Sequence, residues 1–245
     1  TCLTCYDASF TRVLEAAGID MFIVGDSLGM VLKGHETTVP VTMADMLYHA
    51  ANVARVGRHA LRVVDMPYMS YANPEQALGN AARLVAEGGA DMVKLEGGQD
   101  KADIVRHLVD HDIPVCGHIG LLPQSIEELG GYHVQGRDED GARALLADAQ
   151  ALEAAGATLL VMECIPAELA ALITSSVTMP TIGIGAGPDC DGQVLVLYDM
   201  LGITPGRVPK FVHNFLPEAG SVPAAIRAYV EAVRNRRFPG PEHCF

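Results

Sequence analysis

Short apolar runs rich in β-branched residues alternate along the chain with longer stretches in which apolar residues return at helical spacing. The runs TCLTC (1–5), MFIVG (21–25), LRVVD (61–65), DMVKLE (91–96), VCGHIG (115–120), TLLVMEC (158–164), TIGIG (181–185) and VLVL (194–197) predict eight strands. Helical patterns fall between them at 45–56, 74–87, 101–111, 139–155 and 167–175. Asn73-Pro74 is a start signal and Gly88-Gly89 a stop signal for one of these helices. A strand followed by a helix returns to pair in parallel, so eight such strands predict a single-domain (β/α)8 barrel over 1–245 with a helical C-terminal tail. An open doubly wound sheet is the competing arrangement. Its dinucleotide fingerprint is missing, because GIGAG is not GxGxxG and opens no helical pattern.

No linker, low-complexity tract or internal repeat interrupts the alternation. The irregular stretches 33–42, 121–138 and 188–193 follow the second, fifth and seventh strands. In a barrel these loops lie over the C-terminal face, where active sites are built.

The run FIVGDSLGM (22–30) places Asp26 and Ser27 at the end of the second strand. One such Asp is ordinarily a helix cap or turn residue. The other strand ends change that reading. Asp65 closes the third strand, Lys94 and Glu96 lie on the fourth, His118 on the fifth, and Glu163 closes the sixth. Lys94 and Glu96 are two residues apart, so a strand turns both to the same side. Crowded carboxylates repel and stay partly protonated unless a cation joins them. Two Asp and a Glu with no accompanying His or Cys pair favour Mg2+ over Zn2+. A 2-oxo acid could complete such a site, with Lys94 balancing charge. Polarisation of its keto group would acidify the neighbouring C–H, which a carboxylate base could remove.

A net charge of -13 argues against nucleic acid or an anionic membrane as partner, which leaves small molecules. No long uncharged apolar run is present, and the start lacks the basic region of a signal peptide, so the expected location is the cytoplasm. Because the chain opens on Thr1 with no Met, a short preceding segment is expected. Six cysteines suit a reducing compartment. Cys2 and Cys5 form a CxxC, but in a strand they face opposite ways and no second CxxC completes a metal site, so packing thiols are expected.

The runs VGDSLGM, TVPVTMADMLYH, VVDMPYMSY, VKLEGG, GHIGLLPQS, GGYHVQGR, MECIPAELA, TIGIGAGPDCDGQVLVLYDMLG and PKFVHNF resemble, in order and over nearly the whole chain, the ketopantoate hydroxymethyltransferase family. The resemblance implies a barrel enzyme of pantothenate biosynthesis. It would move a hydroxymethyl unit from 5,10-methylenetetrahydrofolate to 3-methyl-2-oxobutanoate through a Mg2+-stabilised enolate, giving 2-dehydropantoate. It also implies a homo-oligomer, commonly a decamer. Residue by residue, Asp26 and Asp65 match metal ligands that also contact substrate, and Glu96 matches a further acid at the metal, acting through water. Ser27 and Lys94 match contacts to the oxo acid, His118 a polar substrate-site residue, and Glu163 the catalytic base. Two positions depart from the pattern: His133 stands where Lys is frequent, and Cys244 where Ser is usual. Both lie away from the acidic residues in sequence. A Mg2+-dependent oxo-acid lyase or mutase of a related barrel family is the alternative; it would need no folate.

Two further stretches are less specific. GIGAGPDCDG (183–192) is expected to shape the folate side, because Asp189 and Asp191 would repel a phosphate. Tyr6 follows the first strand, where its hydroxyl could reach substrate or make one buried hydrogen bond.

Overall fold

The computed structural model describes residues 1–126, 131, 133–204 and 208–245. Gly130 and Tyr132 of the GGYHVQGR run lie outside the described residues. The strands β1 (Cys2–Thr4), β2 (Met21–Val24), β3 (Leu61–Asp65), β4 (Met92–Glu96), β5 (Val115–Gly120), β6 (Leu159–Glu163), β7 (Thr181–Ile184) and β8 (Gly192–Leu195) close a barrel in chain order. Every neighbouring pair is parallel, including β1 with β8. The helices are α1 (Ala8–Ala16), α2 (Leu28–Val31), α3 (Met43–Ala54), α4 (Pro74–Ala86), α5 (Ala102–Val109), α6 (Glu139–Ala154), α7 (Ala167–Ser176), α8 (Leu197–Met200), α9 (Leu216–Ala219) and α10 (Val222–Arg234). This is the (β/α)8 barrel that the alternation predicts.

Side-chain alternation divides the apolar residues into two cores. Met21, Ile23, Val63, Met92, Cys116, Leu159, Val161, Ile182 and Val194 fill the barrel interior. Their strand neighbours, among them Phe22, Val64, Val93, Leu95, Val115 and Leu160, face outward and pack with helix residues such as Leu84, Leu108 and Leu152. Each such buried side chain stabilises the fold by about 1.5–3 kcal/mol relative to exposure. The inward positions change character along each strand. They run Val63 then Asp65 on β3, Met92 then Lys94 and Glu96 on β4, Cys116 then His118 on β5, and Leu159, Val161 then Glu163 on β6. The lower barrel is therefore an apolar plug and its C-terminal mouth is ionisable.

Local signals place these elements. Asn73 caps α4 by accepting from Gln76 N–H, with Pro74 in the first turn. Thr42 and Asp45 form a reciprocal capping box at the start of α3. Gly120 sits at φ 94°, where a Cβ would overlap the Glu163 carbonyl oxygen, so β5 and β6 meet closely at the mouth only with glycine there.

Two expectations need correction. The last strand spans Gly192–Leu195 and not 194–197. Its register is fixed by Ile182 opposite Gly192 and Leu3 opposite Leu195, and Leu197 N–H turns to donate to Thr4 Oγ1 at 2.9 Å as α8 begins. Second, α1 occupies a segment with no predicted helix; Asp7 caps it by accepting from the Ser9 and Phe10 N–H groups. Beyond Tyr198, α10 packs Ala225, Ile226, Tyr229 and Val230 into the outer core.

Cys2 belongs to the barrel interior and Cys5 to the outer core, so the CxxC thiols face opposite ways; all six cysteines are free. Among the described residues, no helix is long and apolar enough to cross a membrane.

Candidate active site

The closed sheet brings Asp26, Asp65, Lys94, Glu96, His118 and Glu163 to one mouth. The first five are at most 5% exposed, and the Glu163 side chain 15%. Lys94 Nζ lies 3.1 Å from Asp65 Oδ1 and 3.3 Å from His118 Nδ1. The His118 ring spans two acids, with Nδ1 3.5 Å from Glu96 Oε1 and Nε2 3.3 Å from Glu163 Oε2. Asp65 Oδ2 accepts the Asp26 backbone N–H at 3.0 Å.

None of these acids acts as a helix cap. Asp26 accepts from Gln124, and the N-cap of α7 is Pro166, three residues beyond Glu163. Ser27 occupies the N-cap of α2 but makes no side-chain cap bond; its Oγ lies 2.9 Å from the Tyr6 hydroxyl. Tyr6 is buried in the outer core, and its hydroxyl meets Ser27.

Burial, then the neighbouring Asp65 and Glu96 carboxylates, raise the Asp26 carboxyl well above its ordinary range. Burial raises Asp65 as well, though Lys94 opposes the shift. Glu96 is lowered: burial pushes it up, but His118, Lys94 and the Gln124 N–H outweigh that. Burial pulls Lys94 down while Asp65, Glu96 and Asp26 push it up, and the acids win. His118 is raised, since hydrogen bonds to Glu163 and Glu96 outweigh burial and Lys94.

Among the described residues, no three His, Cys, Asp or Glu side chains already converge as a closed metal site. Lys94 and Gln124 stand between the acids. The donor chemistry nevertheless fits a hard cation. Asp65 Oδ1 and Glu96 Oε1 are buried and held only by ion contacts, to Lys94 at 3.1 Å and to His118 at 3.5 Å, with no well-aligned hydrogen bond, which leaves oxygen acceptors at the mouth. An ion that keeps several waters and takes only one or two carboxylates suits such a sparse set; a four-coordinate zinc site does not.

The sequence matches the ketopantoate hydroxymethyltransferase family over residues 1–241. The chain belongs to this family. It is 57% identical over 239 residues to a 3-methyl-2-oxobutanoate hydroxymethyltransferase of Nitrosococcus oceani, covering 98% of this chain and 90% of that protein. The Thiobacillus denitrificans protein of the same name is 59% identical over 244 residues, covering 99% of this chain and 92% of that protein. Among solved structures, a phosphoenolpyruvate phosphomutase from Streptomyces platensis superposes with a TM-score of 0.62 at 15% identity, covering 97% and 93% of the two chains. A phosphonopyruvate hydrolase in complex with oxalate and Mg2+ gives 0.62 at 13% identity, covering 96% and 79%. At those identities the likeness is one of fold.

Within this member of the family, two buried polar residues at the mouth escape a reading of strand ends. Gln124, in the 3-10 turn after β5, touches Asp26 and Glu96, and Tyr71, in the loop after β3, touches Gln124 and Glu96. Both stand inside family-like runs, GHIGLLPQS and VVDMPYMSY, and their loop position was the available signal. One residue of the GIGAGPDCDG stretch lies away from the mouth. Asp191 accepts from Thr181 N–H and hydroxyl at 2.9 and 3.1 Å, so it ties the start of β7 at the end of the barrel opposite the acids. A cavity of about 140 Å³ also lies at that end, lined by Thr1, Asp191, Gln193 and Arg234.

Proposed function

We propose that this chain transfers a hydroxymethyl unit from 5,10-methylenetetrahydrofolate to 3-methyl-2-oxobutanoate, forming 2-dehydropantoate. The observation that carries the reading is the mouth itself: a carboxylate on β6 faces a buried acid cluster across His118, in a chain of the ketopantoate hydroxymethyltransferase family. Asp26 and Asp65 would hold Mg2+, with Glu96 acting on it through water. The bound ion would supply positive charge at the keto group and so acidify the C3 hydrogen.

The protein's own groups do the rest. Lys94 lies between Asp65 and His118, and its ammonium receives the oxo-acid carboxylate. The Ser27 hydroxyl, oriented by Tyr6, adds a neutral contact to the same substrate. Glu163 removes the C3 proton. The electron pair left on C3 forms the new carbon–carbon bond to the one-carbon unit, whose bonds to the two folate nitrogens break as water supplies the hydroxyl oxygen and tetrahydrofolate leaves. His118 holds Glu163 through Nε2 and Glu96 through Nδ1, so the base keeps its orientation in the partly closed mouth. The reading extends to a homo-oligomer, a decamer, working in the cytoplasm, as the family resemblance implies.

The test is product formation from 3-methyl-2-oxobutanoate and methylenetetrahydrofolate, with and without Mg2+, with oligomer size measured by sedimentation. Mg2+-dependent 2-dehydropantoate formation is expected. Cleavage of a 2-oxo acid without any need for folate would instead assign the lyase or mutase reading.

A further inference from the structure

Gln124 has a position that the proposed reaction leaves unexplained. It is 6% exposed, beyond β5, and its side chain and backbone reach the ends of three other strands. Nε2 donates to Asp26 Oδ2 at 2.8 Å and to the Met66 carbonyl at 2.9 Å. The Gln124 backbone N–H donates to Glu96 Oε2 at 3.0 Å. Oε1 accepts from the Tyr71 hydroxyl at 2.5 Å, and the Tyr71 oxygen accepts the Glu96 N–H at 3.3 Å. Both amide hydrogens and the amide oxygen are thus engaged. Turning the amide over would set its oxygen against a carboxylate and a carbonyl, so the orientation is fixed.

We propose that Gln124 is the positioning residue of the acidic cluster. It is a neutral clamp that sets Asp26 and Glu96 at the spacing and orientation the divalent cation requires, and it is locked in turn by Tyr71. The inference rests on the Mg2+-dependent reading above. Neutrality is the point of the amide. A lysine or arginine in its place would cancel carboxylate charge needed by the cation, and a carboxylate would add repulsion beside Asp26. An amide aims both acids while leaving their charge available. Lys94 cannot substitute for it, because its ion contact is with Asp65. A cavity of about 120 Å³, lined by Tyr68, Tyr71, Lys101 and Ser125, lies against the clamp.

The experiment is calorimetric titration of Mg2+ into the wild-type protein, Gln124→Met and Tyr71→Phe, with melting temperatures of the metal-free proteins and kcat and KM measured in parallel. Gln124→Met should weaken Mg2+ binding about 10–100-fold, the range seen when groups that orient metal ligands are removed. Tyr71→Phe should weaken it by a smaller factor. Gln124→Met also leaves the Met66 carbonyl and the Tyr71 hydroxyl without that partner, so its metal-free melting temperature should fall as well, and kcat at saturating Mg2+ should fall more than oxo-acid KM rises. A merely structural residue would lower the melting temperature and leave Mg2+ affinity alone. Wild-type binding with Gln124→Met within twofold of it overturns the clamp and leaves the functional reading standing. Should Gln124→Met not fold, Tyr71→Phe decides by the same twofold criterion. Absence of Mg2+ binding by the wild type overturns the metal reading and the clamp together.

Discussion

Strands β3 and β4 carry an oppositely charged pair at each of their ends, and the two pairs are built differently. At the N-terminal end Arg62 meets Asp91 with Nη2 to Oδ1 at 2.6 Å and Nε to Oδ2 at 3.0 Å, and the Arg62 backbone N–H adds a third bond at 2.9 Å. These side chains are 25% and 37% exposed. At the C-terminal end Lys94 meets Asp65 at 3.1 Å, with the side chains 6% and 5% exposed. The solvent-edge pair is bidentate and uses both carboxylate oxygens. The buried pair rests on a single contact through Asp65 Oδ1, with no well-aligned hydrogen bond there, and stands beside three more acids. Burying charges that are incompletely paired costs stability. At the barrel mouth that cost falls where the acids can meet a cation and a substrate.

The largest effect that separates the two ends should come from Glu163→Gln. Shape is retained and basicity lost, so turnover should fall about 10²–10⁴-fold with oxo-acid binding nearly intact. Exchange of the C3 hydrogen into D2O, with Mg2+ present and folate absent, isolates the step. Exchange at the wild-type rate would move the base elsewhere, with His118 the next residue to examine.

Lys94→Met tests whether the buried pair serves substrate. Loss of a charge-assisted contact of about 1.5–3 kcal/mol predicts roughly 10–100-fold weaker oxo-acid binding. Folate binding should change little. Equal losses for both ligands in equilibrium titrations would point to general disruption of the mouth.

Asp91→Ala is the counterpart at the other end. Solvent screens that pair, so about 1 kcal/mol of stability is expected to go, lowering the melting temperature by about 2–4 °C. Turnover should be unchanged. A loss of turnover at an unchanged melting temperature would break the division between a structural end and a chemical one.

The smallest effect belongs to the capping box of α3. Burial pushes the Asp45 carboxyl up, but the Lys33 ammonium and the Thr42 N–H and hydroxyl outweigh that and hold it at about 2. A carboxyl depressed on folding contributes stability above its unfolded pKa near 3.8 and loses it as pH falls toward about 2. With solvent screening the contribution is about 1 kcal/mol or less. Acid unfolding of Asp45→Asn should therefore show a shallower loss of stability between pH 4 and pH 2 than wild type, in curves measured by circular dichroism.

Much of the mouth was legible along the chain because parallel barrel strands are short and end abruptly. An apolar run closed by Asp26, Asp65 or Glu163 marks a strand end without knowledge of its neighbours, and the two-residue spacing of Lys94 and Glu96 gives them one face. The start of β8 was not legible: Gly192-Gln193 looks like loop, and only pairing with Ile182 and Gly183 makes it strand. Nor was α1, whose apolar face becomes evident once Leu14 is seen in the outer core. Asp191 looked like a mouth residue because it stands after β7, yet its bonds to Thr181 hold it at the far end.

The sequence by itself determined the alternation of strand and helix, the inward phase of each strand, and which ionisable groups close the runs. Those properties depend on neighbours a few residues away. Tertiary structure alone decided which groups touch. Ring closure put Lys94 against Asp65 rather than free in the mouth, and set the His118 ring between Glu96 and Glu163. It also brought Gln124 to Asp26 across 98 residues of chain. Contacts of that separation depend on strand order and register around the whole barrel, which no local pattern encodes.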